Sequence, residues 1–149
     1  MKLYHGARHF FPCAFELKPQ HDGYTHQPES QALEDFIDLH RPYDKLSRKQ
    51  SVFLSDDIDL IDPAGGFIDA VYLVEADKTE KSDLAWYTHA QIMLEEGNTE
   101  LAAQAALNYW SGEPFTDTTQ RCPEYRCSTA TVIAIVELNA DMDELEQVP

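Results

Sequence analysis

The sequence predicts an α+β fold in a single domain spanning residues 1–149. Three observations support this. Segments of strand and helix character run in the order strand, helix, strand, strand, helix, helix, strand, which is not an alternating βα pattern. The consecutive strands over 51–55 and 70–76 leave no room for a full crossover helix, as a parallel pair would need. Two runs, "AVYLVEA" and "ATVIAIVEL", are dense in β-branched and aromatic residues and read as buried strands.

The elements follow in order along the chain. Met1–His5 reads as a short strand. Ala7–Glu16 is aperiodic, with Phe10, Phe11, Pro12 and Phe15 making it sticky without a repeat. Lys18–Gln27 is polar and reads as a loop. From Pro28 to His40, Leu33, Phe36, Ile37 and His40 fall at i, i+3, i+4 and i+7, the stripe of an amphipathic helix; Pro42 ends it. Tyr43–Gln50 is a loop in the densest positive stretch, with Arg41, Lys45, Arg48 and Lys49. Ser51–Ser55 is a strand in which Phe53 shares a face with Ser51 and Ser55, while Val52 and Leu54 take the other. Asp56–Ile61 is a short helix stopped by Pro63 and Gly65–Gly66, and Phe67–Ala76 is a strand. Asp83–Glu96 is a helix capped by Ser82 or Asp83 and ended by Gly97. Thr99–Trp110 is an alanine-rich helix with Thr99 as its cap, in which Tyr109–Trp110 reads as helix-end core packing. Ser111–Pro123 is a loop, Ala130–Leu138 the strongest strand, and Asn139–Pro149 an acidic tail.

Composition narrows the function. A hydrophobic share of 43% with 11% aromatics can build a core. The net charge of −16 disfavours nucleic acid and anionic membranes and favours a basic or neutral partner. No apolar run approaches the ~20 residues of a membrane helix, and the N-terminus lacks signal-peptide features. A cytoplasmic protein is expected, with Cys13, Cys122 and Cys127 as free thiols. There is no glycine-rich phosphate loop, no Gly-x-Ser-x-Gly and no His-Glu-x-x-His. Cys122 with Cys127, and His21 with His26, lack a second pair at zinc spacing, so no metal is expected.

Three segments carry a more specific signal: "LYHG" at residues 3–6, "SVFLSDD" at 51–57, and "PEYRCSTATVIAIVEL" at 123–138. In this order the chain resembles the ADP-ribosyltransferase superfamily, in its histidine–tyrosine–glutamate branch that includes diphtheria toxin and the poly-ADP-ribose polymerases, and more closely the small phage and bacterial members. The resemblance implies a split β-sheet core flanked by helices, with NAD as substrate and no metal. It implies that His5 bonds the adenosine-side ribose and that Gly6 lets the backbone approach the cofactor. Phe53 would stack on the nicotinamide, and Ser55 would also contact the cofactor. Glu124 would bond the 2′-hydroxyl of the nicotinamide ribose and stabilise the developing oxocarbenium charge. Arg48, with Arg8 as second choice, would pair with the pyrophosphate.

The pattern also departs from the family. Phe53 stands where the family has tyrosine. The second ring-stacking tyrosine has no obvious counterpart, Phe67 being the nearest aromatic. Glu124-Tyr125-Arg126 is not the Glu-x-Glu of arginine-directed members. Each residue also has an ordinary reading: a strand-end histidine, an inward strand aromatic, and solvated loop charges for Arg48 and Glu124. The expected activity is mono-ADP-ribosyl transfer to an intracellular macromolecule, a protein rather than nucleic acid. The alternatives are a non-catalytic acidic phage-type inhibitor on a degenerate fold, and an NAD glycohydrolase toxin.

Overall fold

The computed structural model describes residues 1–21, 30–61 and 69–139, together with the backbone of Glu146–Gln147. It is an α+β arrangement of two antiparallel sheets and a helical layer. The larger sheet runs β1 (Lys2–Ala7), β5 (Ala70–Glu75), β8 (Ala130–Leu138), β3 (Glu16–Leu17). The smaller runs β4 (Val52–Leu54), β7 (Pro123–Cys127), β6 (Glu80–Asp83). A short parallel pair joins β2 (His9–Phe10) to β9 (Glu146–Gln147).

The two main sheets are stitched where Tyr4 and Ser55 exchange both backbone hydrogen bonds, at 2.8 and 2.9 Å. That bridge sets β1 against β4. Alternation then sorts side chains by face. Leu3 and Ala7 of β1, Val52 and Leu54 of β4, Tyr125 and Cys127 of β7, and Tyr72 and Val74 of β5 share one apolar core with Leu17 and Val132. Each fully buried aliphatic side chain there contributes about 1.5–3 kcal/mol. The opposite face of the small sheet presents Phe53, Ser82, Glu124 and Arg126 to the helices.

The helices are α1 (Gln31–Leu39), α2 (Leu84–Glu95) and α3 (Thr99–Ser111). Leu33 and Ile37 of α1 are buried as their spacing predicts, and Ser30 caps the helix. Asp83 caps α2, and its carboxylate also accepts from the backbone N–H of Phe115 and Cys122 at 2.9 and 2.8 Å, tying down the loop that leads into β7. On α3, Ala102, Ala105 and Ala106 are fully buried and let α2 come close. Trp110 donates its indole N–H to the Ile37 carbonyl at 2.8 Å, locking α3 to α1. Gly112 ends α3 at φ +79, and a Cβ there would meet the Lys81 carbonyl oxygen at 3.0 Å, so both conformation and close approach require glycine.

Several boundaries differ from the sequence reading. The first strand runs on to Ala7. Asn98, not Thr99, caps α3, its side chain accepting from the Leu101 N–H. The Ala7–Glu16 stretch holds β2 and the approach to β3, and Asp56–Ile61 forms a single 3-10 turn over Ile58–Leu60. β6 and β7 lie mostly in stretches to which the sequence reading assigns no element, and both are strands that pair with each other. His26, Pro28, Pro63, Gly65, Gly66, Phe67 and most of the acidic tail lie outside the described residues. No helix among the described residues is long and apolar enough to cross a membrane.

Candidate functional site

The Tyr4–Ser55 bridge brings His5 onto Phe53. The His5 ring is 3% exposed, and its Nδ1 lies 3.0 Å from the Phe53 carbonyl oxygen. A carbonyl can only accept, so Nδ1 carries the hydrogen of this contact. Gly6 continues β1 opposite Val71 in ordinary extended backbone. The Ser55 hydroxyl donates to the Asp57 carbonyl at 2.8 Å and accepts from the Asp57 N–H at 3.0 Å. It therefore closes a turn.

Phe53 is half-buried on the helix-facing side of β4, as the alternation predicts. Its neighbour there is Arg48, whose guanidinium carbon lies 4.7 Å from the ring centroid. Arg48 and Glu124 depart from the solvated-loop reading. Arg48 is 4% exposed, on a 3-10 turn over Arg48–Gln50, and Glu124 sits within β7 opposite Ser82. Arg48 donates from Nη1 to Glu124 Oε1 at 2.7 Å and from Nε to both Glu34 oxygens at 3.2 and 3.3 Å. Its guanidinium also lies 4.6 Å from the Tyr87 ring and 5.4 Å from that of Tyr109. Arg8, the second choice, is exposed beyond the end of β1.

Tyr109 is the junction. Its hydroxyl oxygen accepts from Arg48 Nη1 and, at 3.1 Å, from Arg126 Nη1. Both partners are pure donors, so the phenolic hydrogen goes to Glu124 Oε1, with which the hydroxyl is in short contact. Burial holds the phenol proton well above its ordinary range; the Glu124 carboxylate pushes the same way, while the two arginines oppose it. Arg126 is fully buried. It donates to Ser82 Oγ at 2.5 Å and rests on the faces of Tyr109 and Trp110 at 5.1 and 4.9 Å. Its Nε and Nη2 have no hydrogen-bond partner among the described residues. The cluster thus sets two guanidinium groups against the Glu34 and Glu124 carboxylates, linked by one phenol. Removing one member of such a buried charge set costs roughly 3–5 kcal/mol, because it leaves a partner uncompensated.

The structure therefore brings Phe53, Arg48 and Glu124 together on the helix-facing side, whereas His5 shares the core face with Leu3 and Ala7 and reaches only the backbone carbonyl of Phe53. It also adds Glu34 from α1, Tyr87 from α2, and Tyr109 and Arg126. Tyr87 donates its hydroxyl to Glu34 Oε1 at 2.8 Å. Its ring faces the Arg48 guanidinium from α2. Helical stripes drew attention to the apolar side of α1–α3, and nothing local marks a tyrosine or glutamate that meets an arginine only across the fold.

The His5 ring lies instead with two other histidines around the core residue Phe11: the His5, His9 and His21 rings are 6.4, 6.0 and 6.2 Å from it. Burial, and then the neighbouring Lys18, His9 and His5, lower the pKa of His21. No group of three or more His, Cys, Asp or Glu side chains among the described residues is arranged to hold a metal ion. Cys13 is exposed, Cys122 half-buried and Cys127 buried, all as free thiols. Comparison with protein-family models finds no match to the chain, and comparison with curated proteins finds none.

Proposed function

We propose that the protein is an NAD-dependent mono-ADP-ribosyltransferase with an ADP-ribosyltransferase-like split-sheet core, acting on an intracellular protein. One observation supports this above the others. The residues of three sequence segments far apart in the chain join through consecutive contacts: His5 to the Phe53 carbonyl, the Phe53 ring to Arg48, and Arg48 to Glu124. The groups fit a dinucleotide by their chemistry. Phe53 and Tyr87 offer ring faces for a pyridinium. Arg48 is a fork-shaped cation for phosphate once freed from the carboxylates. Glu124 is an ionisable acceptor beside them, fixed on a strand.

The reaction breaks the bond between nicotinamide and ribose through an oxocarbenium-like state. A carboxylate that bonds the 2′-hydroxyl stabilises the positive charge as it develops, and the acceptor nucleophile then takes the anomeric carbon. With Oε1 bonded to Arg48 and Tyr109, Oε2 is the oxygen available for the ribose.

The same contacts favour one other reading. Glu124 and Phe53 are covered by the chain's own Arg48, as expected of a non-catalytic binding protein on a degenerate fold. Incubation of the purified protein with labelled NAD and a cell lysate separates the readings. A labelled protein band supports transfer; free ADP-ribose with no band supports the glycohydrolase alternative. Neither product, with no NAD binding, supports the binding protein.

A further inference from the structure

The surroundings of Arg48 form a cage. Three rings, Phe53, Tyr87 and Tyr109, lie 4.6–5.4 Å from its guanidinium carbon. Two carboxylates meet its edges, Glu34 at Nε and Glu124 at Nη1. The lining comes from five elements, α1, α2, α3, β4 and β7, so it is built by the fold. The occupant comes from elsewhere, a one-turn 3-10 segment whose next residues, Lys49 and Gln50, are exposed. Arg48 itself belongs to no strand or α-helix.

We propose that this cage is a binding site for a planar, delocalised organic cation bearing N–H donors, and that Arg48 is its resident occupant, displaced when such a ligand enters. Ring faces attract a cation through their quadrupoles, more strongly where water is excluded. The two carboxylates add in-plane acceptors, which a quaternary ammonium group cannot satisfy. Emptied of Arg48, the cage carries two uncompensated carboxylates and gains cation affinity. Two sources share the required chemistry: the carboxamide-bearing pyridinium of an oxidised nicotinamide dinucleotide, and the guanidinium of an arginine side chain. The first source rests on the function proposed above; the cage does not. Arg48 then acts as an internal competitor and lowers ligand affinity in the free protein. This is the opposite of what a preformed phosphate ligand at that position would do.

Calorimetric titration of 1-methylnicotinamide, agmatine and choline into the wild type, Arg48→Ala and Arg48→Lys tests this. Lysine keeps a charge between Glu34 and Glu124 but cannot fill the planar space, so it serves where the alanine variant fails to fold. The expected result is that the variants bind 1-methylnicotinamide or agmatine about tenfold or more tighter than the wild type, because an internal competitor has been removed, and that choline shows no such gain. A gain for 1-methylnicotinamide points to the dinucleotide, and a gain for agmatine to an arginine side chain. No gain for either planar cation, or an equal gain for choline, overturns the proposal. A parallel titration with NAD judges the proposed function separately: NAD bound by none of the three proteins sinks that function and leaves the cage to the small cations.

Discussion

Tyr109→Phe isolates the junction of the buried charge cluster. It deletes one oxygen and leaves the ring in the core. Three contacts disappear together: donation to Glu124, and acceptance from Arg48 and from Arg126. A hydrogen bond to a charged group is worth about 1.5–3 kcal/mol net. The three share one atom, so their values do not add. Arg48 keeps Glu34 and Glu124, and Glu124 keeps Arg48. Arg126, fully buried, keeps its two ring contacts but, among the described residues, only the Ser82 hydrogen bond. The expected loss is therefore dominated by Arg126 and amounts to about 3 kcal/mol. Tyr87→Phe is the internal control: it removes one hydroxyl bond to Glu34 at a half-buried site, for about 1 kcal/mol. Urea denaturation followed by circular dichroism reads both, with unchanged m-values required for the comparison. A Tyr109→Phe variant within about 0.5 kcal/mol of the wild type, or no worse than Tyr87→Phe, refutes the claim that this phenol organises the cluster.

Two other predictions concern the approach to β7. Asp83→Ala removes the acceptor of three backbone N–H groups, those of Ala85, Phe115 and Cys122; a destabilisation of about 3 kcal/mol is expected, with faster hydrogen exchange at those amides, and unchanged exchange there contradicts it. Burial first, then Glu124, Asp83 and Asp57, push the Cys122 thiol from 9.0 up to about 11. The folded state thus favours the protonated thiol; the stability this contributes is present below 9.0 and is lost as pH rises through about 11. Near neutral pH the native protein should hold about 100-fold less Cys122 thiolate than the denatured chain, measured as the ratio of iodoacetamide labelling rates by peptide mass spectrometry; equal rates contradict it.

Much of the fold was legible because it rests on local periodicity. β8 falls on its expected bounds, α1 buries Leu33 and Ile37 from the stripe that predicts it, and Phe53 takes the face that alternation assigns. β6 and β7 were not legible. "EKSD" has no apolar residue, and "PEYRC" alternates Tyr125 and Cys127 with Glu124 and Arg126 over too few residues to mark a strand, its charged face finding partners only in three dimensions. The candidate site divides in the same way. His5, Phe53 and Glu124 stood out through a resemblance in short segments. Glu34, Tyr87 and Tyr109 look like ordinary helical residues until α1, α2 and α3 converge on Arg48. Arg48 itself was expected to face a phosphate; what could not be read was that an acidic protein would enclose one of its few cations between two of its own carboxylates.

The central claim is that Glu124 acts on NAD beside Phe53 and Arg48. The most direct measurement is the rate of nicotinamide release from NAD by the wild type and by Glu124→Gln, with the NAD dissociation constant of each determined in parallel. The account predicts that the amide variant binds NAD within a few-fold of the wild type and loses about 100-fold or more in kcat, the scale of a lost electrostatic contact to the transition state. Near-full turnover in Glu124→Gln contradicts it.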